Sequence, residues 1–228
     1  MQAERPDIRE ITLRDMNTKP DKALAEKLLQ INAITLQPDN PFVWASGWNS
    51  PIYTDNRKAL SYPDLRTFIK VELCRHIIED FPECQVVAGV ATGAIAMGAI
   101  VADTLGLPYV YVRSTPKDHG MENLIEGNLK PGSKVVVVED LVSTGGSSLK
   151  AVNAIREAGC EVVGMLANFT YEFPLSIKRF RDAGVRMIPL CTYSAMLEAA
   201  QDAHYIRPED METLQQWRRD PANWVLNR

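Results

Sequence analysis

In the second half of this chain, apolar positions fall into short unbroken runs separated by helical repeats. The runs are QVVAGV (85–90), YVYV (109–112), KVVVVE (134–139), EVVGMLAN (161–168) and the shorter VRMIPL (185–190). Each is too short for a buried helix and most are rich in β-branched residues, which predicts strands buried on both faces. Helices are expected between them, over 94–105, over 146–158 with a stop at Gly159, and near 174–183. Such alternation builds an α/β fold with a central, mostly parallel sheet flanked by helices. Ligands of these sheets bind beyond the carboxyl ends of the strands.

Upstream the pattern changes. Leu24, Leu28, Leu29 and Ile31 recur at helical spacing and predict a helix over 20–33. Residues 63–80 are expected to be helical, with Pro63 at the first position and Ser61 just ahead as a cap. The aromatic, turn-rich stretch FVWASGWNSPIYTDNR (42–57) reads as strand–turn–strand, turning at Ser46-Gly47 or at Asn49-Ser50-Pro51. Residues 1–18 lack periodicity and read as a loose lead-in. Tyr193 to Leu197 read as a helix start, and the tail EDMETLQQWRRDPANWVLNR as a helix anchored by Trp224. The expected organisation is an N-terminal extension and helix (1–35), a core that includes the aromatic segment (36–203), and a helical tail (204–228).

Composition narrows the function. The chain has 228 residues, 46% of them apolar, enough for one large domain. Its net charge of -4 argues against general nucleic-acid or anionic-membrane binding, and neither a helix-turn-helix signal nor a basic stripe is present. The uncharged run 85–102 is short for a membrane span and rich in Ala and Gly; it reads as strand, glycine turn and helix. Cys74, Cys84, Cys160 and Cys191 are scattered, which supports neither a zinc site nor a disulfide framework but reduced thiols in a cytosolic protein. The opening MQAERPDIRE has no apolar core, so no secretory leader is expected.

The chemistry concentrates in VVVVEDLVSTGGSS (135–148). Four valines need burial, so Glu139 and Asp140 are expected to emerge at the end of their strand, where carboxylates meet ligand hydroxyls or a metal. The turn Ser143-Thr144-Gly145-Gly146-Ser147 follows. Its glycines allow close backbone approach, successive N–H groups form an anion nest, and the next helix adds its positive end. A phosphate cradle beside two carboxylates suits a sugar phosphate. Other nucleotide signatures fail: GVATGAIAMG (89–98) is not GxGxxG, and GNLKPGSK (127–134) ends G-S-K and precedes its strand. The polar stretch RSTPKDHGMENLIEG carries Arg113, Lys117 and His119 between two strands on the ligand side. His76 and His204 fit no motif and read as structural.

The acids-plus-cradle string resembles the phosphoribosyl pyrophosphate (PRPP) signature of type I phosphoribosyltransferases. The likeness extends to the orotate phosphoribosyltransferases over roughly residues 40–200: WASGWNSPIYTDNR resembles their base-recognition segment, YVRSTPKDHG with IEG their mobile catalytic loop, and GVATGAIA their pyrophosphate loop. The resemblance implies a type I phosphoribosyltransferase-like fold with a small N-terminal hood. It implies that Arg113, Lys117 and His119 contact the pyrophosphate and close over the reacting centre. Glu139 and Asp140 would hold the ribose hydroxyls. The stretch Leu141, Val142, Ser143, Thr144, Gly145, Gly146 and Ser147 would complete the PRPP site, with Ser143 also near the base beside Tyr53 and Arg57. It further implies Mg2+ carried mainly on PRPP oxygens with no metal ligand directly from the protein, and a cytoplasmic homodimer in which loop 113–124 is shared across the interface. Some members carry lysine where this chain has Ala45, Gly93 and Ser114. Transfer to a base other than orotate, or a non-enzymatic PRPP-sensing regulator, are the competing readings.

Overall fold

The structure, a computed structural model, describes residues 19–115 and 124–225. Chain order runs α1 (Pro20–Gln30), β1 (Ile34–Leu36), β2 (Phe42–Val43), β3 (Asn49–Ser50), β4 (Ile52–Thr54), a 3-10 helix (Asn56–Ser61), α2 (Pro63–Asp80), β5 (Val86–Val90), α3 (Ile95–Leu105), β6 (Tyr109–Val112), β7 (Ile125–Glu126), β8 (Lys134–Val142), α4 (Gly146–Glu157), β9 (Glu161–Thr170), α5 (Pro174–Asp182), β10 (Met187–Thr192), α6 (Tyr193–Asp202) and α7 (Asp210–Arg219). Six strands form the central sheet in the order β10-β9-β8-β5-β6-β7. All neighbours are parallel except the short edge strand β7, which runs antiparallel to β6.

The valines do what their run requires. Val136 and Val138 enter one core with residues of α1, α2, α3, α6 and α7. Val135 and Val137 enter a second core, on the other face, with residues of α4 and with Phe180 of α5. Among the described residues no helix is long and apolar enough to cross a membrane. The uncharged run 85–102 is instead β5, a turn and the start of α3.

Local signals explain most boundaries and several differences from expectation. Helix α1 stops three residues earlier than its apolar spacing indicates. Asn32 adopts φ +52 and the Ala33 N–H donates to the Leu28 carbonyl at 2.9 Å, a left-handed C-terminal cap. Helix α2 begins at Pro63 as expected, but Ser61 is not its cap. Ser61 closes the preceding 3-10 turn, Tyr62 takes the cap position, and no side chain caps the helix. Strand β8 runs three residues beyond its expected end, because the backbone ladder with β9 continues beneath the acids: Glu139 lies opposite Ala167, Leu141 opposite Phe169, Val142 opposite Thr170. Strand polarity does not end a strand whose backbone partners persist.

Above the sheet edge sits a small hood. β1 pairs antiparallel with β4, and β2 with β3, only two residues a side. That hairpin turns at Ser46-Gly47, where Gly47 takes φ +84, and the Asn49-Ser50-Pro51 corner then leads into β4. In the tail, Trp217 rather than Trp224 is the anchor: it is fully buried, whereas Trp224 only partly packs against the same core.

Candidate active site

The cradle is built by the end of β8 and the start of α4. Gly145 precedes the helix at φ +77, a conformation costly for any residue with a Cβ, and one added there would also press on the Phe180 ring at 3.0 Å. No side chain caps α4, so its first-turn N–H groups lack protein acceptors within the helix and face the exposed Gly146–Ser147 surface. The helix dipole adds positive potential there. Arg179, reaching from α5, donates from Nη1 to the Thr144 carbonyl at 3.0 Å and brings a cation beside the turn.

The two acids behave differently. Glu139 is only 4% exposed. It accepts from the Ser148 hydroxyl at 2.8 Å and from the Asp140 N–H at 3.0 Å, so its carboxyl faces the root of α4. Burial, with the Asp140 charge beside it, pushes its pKa from 4.5 up to about 8. Asp140 is half-buried and lies over Gly93 of the loop after β5; a Cβ at residue 93 would overlap its carboxylate. Its carbonyl is pinned by the Asn56 amide at 2.6 Å, which ties the hood to β8.

A cavity of about 670 Å³ opens directly beside the cradle. The hood supplies Phe42, Trp44, Ser46, Trp48, Tyr53 and Thr54, and the β8–α4 connection supplies Leu141, Ser143 and Thr144, with Tyr171 as a shared wall. Its polar side-chain groups are hydroxyls and the indole N–H groups of Trp44 and Trp48, and among the described residues no Lys, Arg or His lines it. Burial pushes the Tyr171 phenol well above its ordinary pKa, so it stays a neutral hydroxyl. Tyr53 and Ser143 therefore meet at this cavity. Arg57 does not line it; its Nε donates to Asp55 at 2.7 Å, within electrostatic range of Asp140.

Arg113 stands at the carboxyl end of β6. Its N–H donates to the Leu124 carbonyl at 2.8 Å, and its guanidinium lies 3.5 Å from Glu126. Lys150 of α4 holds the Ser114 carbonyl at 2.8 Å. Lys117 and His119 lie outside the described residues, as does most of the expected closing loop.

Comparison with known proteins bears on this arrangement. The phosphoribosyl transferase domain family matches residues 71–171. Among curated proteins, the orotate phosphoribosyltransferase of Phocaeicola vulgatus is 62% identical over 208 residues, covering 91% of this chain and 98% of that protein. That of Streptococcus pneumoniae is 50% identical over 203 residues, covering 89% and 97%. The chain belongs to the orotate phosphoribosyltransferases. Among solved structures, the orotate phosphoribosyltransferase of Aeropyrum pernix superposes with a TM-score of 0.71 at 29% identity, over 81% of this chain and 99% of that one. A six-stranded, mostly parallel sheet with flanking helices is the type I phosphoribosyltransferase fold.

The glycine at 93 has a local cause: the Asp140 carboxylate occupies the space a side chain would need. Gly93→Ala is expected to push that carboxylate off its rotamer and lower kcat/KM about 10-fold while the melting temperature barely moves; steady-state kinetics beside calorimetry checks this. Sequence reasoning missed Asn56, Arg179 and Tyr171. Asn56 sits inside the quoted DNR string, where its neighbour's charge drew the role. Arg179 and Tyr171 lie outside every motif and reach the site only through the packing of α5 and β9.

Glu139 sets a pH dependence of folding. Its proton is bound by both folded and unfolded chains below pH 4.5, and only by the folded chain from there to about 8. Without ligand, stability should therefore fall as pH rises through that window and level off above it. Glu139→Gln should flatten the slope, read as urea midpoints from pH 5 to 8; an unchanged slope would assign it to another group.

Proposed function

We propose that this chain transfers the ribose 5-phosphate group of PRPP to orotate, giving orotidine 5'-monophosphate and pyrophosphate in pyrimidine nucleotide synthesis. One observation carries the reading: the same seven-residue stretch, 141–147, forms both an anion cradle and a wall of the aromatic cavity. That adjacency suits a phosphate on the turn and a planar base in the cavity, joined through one sugar.

In this scheme the N–H groups of 144–147 take the 5-phosphate, with Arg179 nearby. Asp140 meets the ribose hydroxyls, and Glu139 stands behind it, tying it to Ser148 and α4. Orotate stacks among the hood aromatics, and its carboxylate meets hydroxyls of Tyr53, Ser143 and their neighbours rather than a cation of the cavity wall. Arg57 acts from outside the cavity, toward Asp140. The base nitrogen displaces pyrophosphate at C1, and negative charge grows on the leaving group as the C1–O bond breaks. Arg113, Lys117 and His119 are suited to absorb that charge, and preorganised donors of this kind supply a large share of catalysis. His119 is also placed by its residue type to give a proton. Residues 113–124 close over the sugar and exclude water, which would otherwise hydrolyse PRPP.

The donor set suits Mg2+ that arrives with its substrate. Asp140 offers a half-buried hard oxygen, while no group of three or more acids, histidines or cysteines among the described residues converges to cage an ion. When bound on PRPP, Mg2+ would supply charge neutralisation of the pyrophosphate, and Asp140 is the residue that would offer it a carboxylate oxygen. The enzyme acts in this reading as a cytoplasmic homodimer with loop 113–124 reaching the partner site.

The test mixes protein, PRPP and Mg2+ with orotate and follows its ultraviolet absorbance, then repeats with uracil, adenine and hypoxanthine. Consumption of orotate alone is expected. Consumption of adenine or hypoxanthine with orotate untouched would overturn the assignment of the base.

A further inference from the structure

The tail helix α7 carries no part of the family's signature, yet it grips the hood. Trp217 is buried completely. Its indole Nε1–H donates to the Asn49 carbonyl of β3 at 3.0 Å. Its ring meets Trp44 edge-on at 5.6 Å and Tyr171 at 5.7 Å, two of the cavity-lining aromatics, and Phe173 at 5.3 Å. Trp217 does not itself line the cavity. It stands behind the wall.

A second tether precedes the helix. Arg207 pairs with Asp39, just ahead of β2, at 3.0 Å, and with Asp210 at the start of α7 at 2.6 Å. Further contacts hold the helix to the body. The Tyr193 hydroxyl donates to the Leu214 carbonyl at 3.0 Å, and Arg218 donates to Glu172 at 3.0 Å and to the Ser194 hydroxyl at 2.7 Å. The hairpin it braces has two residues per strand, too little pairing to hold its own shape. Two indoles tie it down: Trp217 donates to its β3 backbone, and its own Trp44 donates to the Ile52 carbonyl of β4 at 3.1 Å.

We infer that α7, through Trp217, positions the base-binding wall of the site and so sets affinity for the nucleobase but not for PRPP. Trp217 is a positioning residue: it acts through Trp44, Tyr171 and the Asn49 carbonyl. The inference rests on the proposal that the base occupies the aromatic cavity. The PRPP cradle, on the β8–α4 turn, is braced by other residues, Arg179 and Ser148.

The test measures KM for orotate and for PRPP in three variants. Trp217→Phe keeps a ring in the core and removes the donor to Asn49. It should raise the orotate KM about 3- to 10-fold, the worth of one lost buried hydrogen bond, and leave the PRPP KM within about 2-fold. Backbone amides of residues 42–50 should exchange hydrogen faster, while those of β8 should not. Arg207→Ala, on the surface, should shift the same constant in the same direction by less, which keeps the test alive if the core variant folds poorly. Ala45→Trp plugs the cavity without touching α7 and should raise the orotate KM strongly. If Ala45→Trp does so while Trp217→Phe and Arg207→Ala move neither constant, or move both equally, the bracing role is overturned and the cavity reading stands. If Ala45→Trp leaves orotate unaffected, the base binds elsewhere and both fall.

Discussion

Lys117→Ala should lower kcat by about 100- to 1000-fold while PRPP binds within a few-fold of the parent affinity. The magnitude is that of removing one preorganised donor from a site of growing charge. The direction follows from when the charge appears. In the proposed scheme ground-state PRPP is held by the backbone N–H groups of the β8–α4 turn, which the substitution does not touch. The pyrophosphate acquires its extra negative charge only as the C1–O bond breaks, so a lysine with the proposed role would stabilise the transition state more than the bound substrate. Single-turnover rates beside calorimetric PRPP binding separate the two effects. Unchanged turnover would remove Lys117 from the mechanism, and a PRPP affinity that falls as much as the rate would make it a binding residue.

Asp140→Asn should cost about 100-fold in kcat/KM without unfolding the chain. The substitution keeps shape but exchanges a charged acceptor for a neutral one, and charge-assisted hydrogen bonds to two sugar hydroxyls carry most of that loss. The fold is spared because the backbone at Asp140 is held independently. Its carbonyl accepts from Asn56 and the strand continues to Val142 against β9. The same change removes the charge beside Glu139 that helps keep its carboxyl neutral, so the stability slope between pH 4.5 and about 8 should become shallower. A protein that melts near room temperature would instead show Asp140 to be structural.

Much of this was readable from local pattern. The alternation of apolar runs and helical repeats determines a buried parallel sheet, and α2 spans Pro63–Asp80 as expected because proline marks its first turn. The cradle was legible because its chemistry lies in one continuous stretch. What stayed hidden depends on residues far apart in the chain. Whether β8 ends at Glu139 or at Val142 is decided by its partner β9, and that difference decides which acid is buried. Neither Trp217 nor Trp224 is marked as the anchor by local sequence; the distant Asn49 carbonyl and the Trp44, Tyr171 and Phe173 rings bury Trp217. Gly93 reads as a loop glycine until Asp140 is seen above it.

The central claim is that one piece of backbone, residues 139–147, holds PRPP by its sugar and its 5-phosphate. A crystal structure of the protein with PRPP and Mg2+ tests it most directly. The account predicts the 5-phosphate within about 3 Å of the N–H groups of 144–147 and the ribose hydroxyls on Asp140. PRPP seated away from that turn, or bound there with its phosphate pointing into the aromatic cavity, would contradict it.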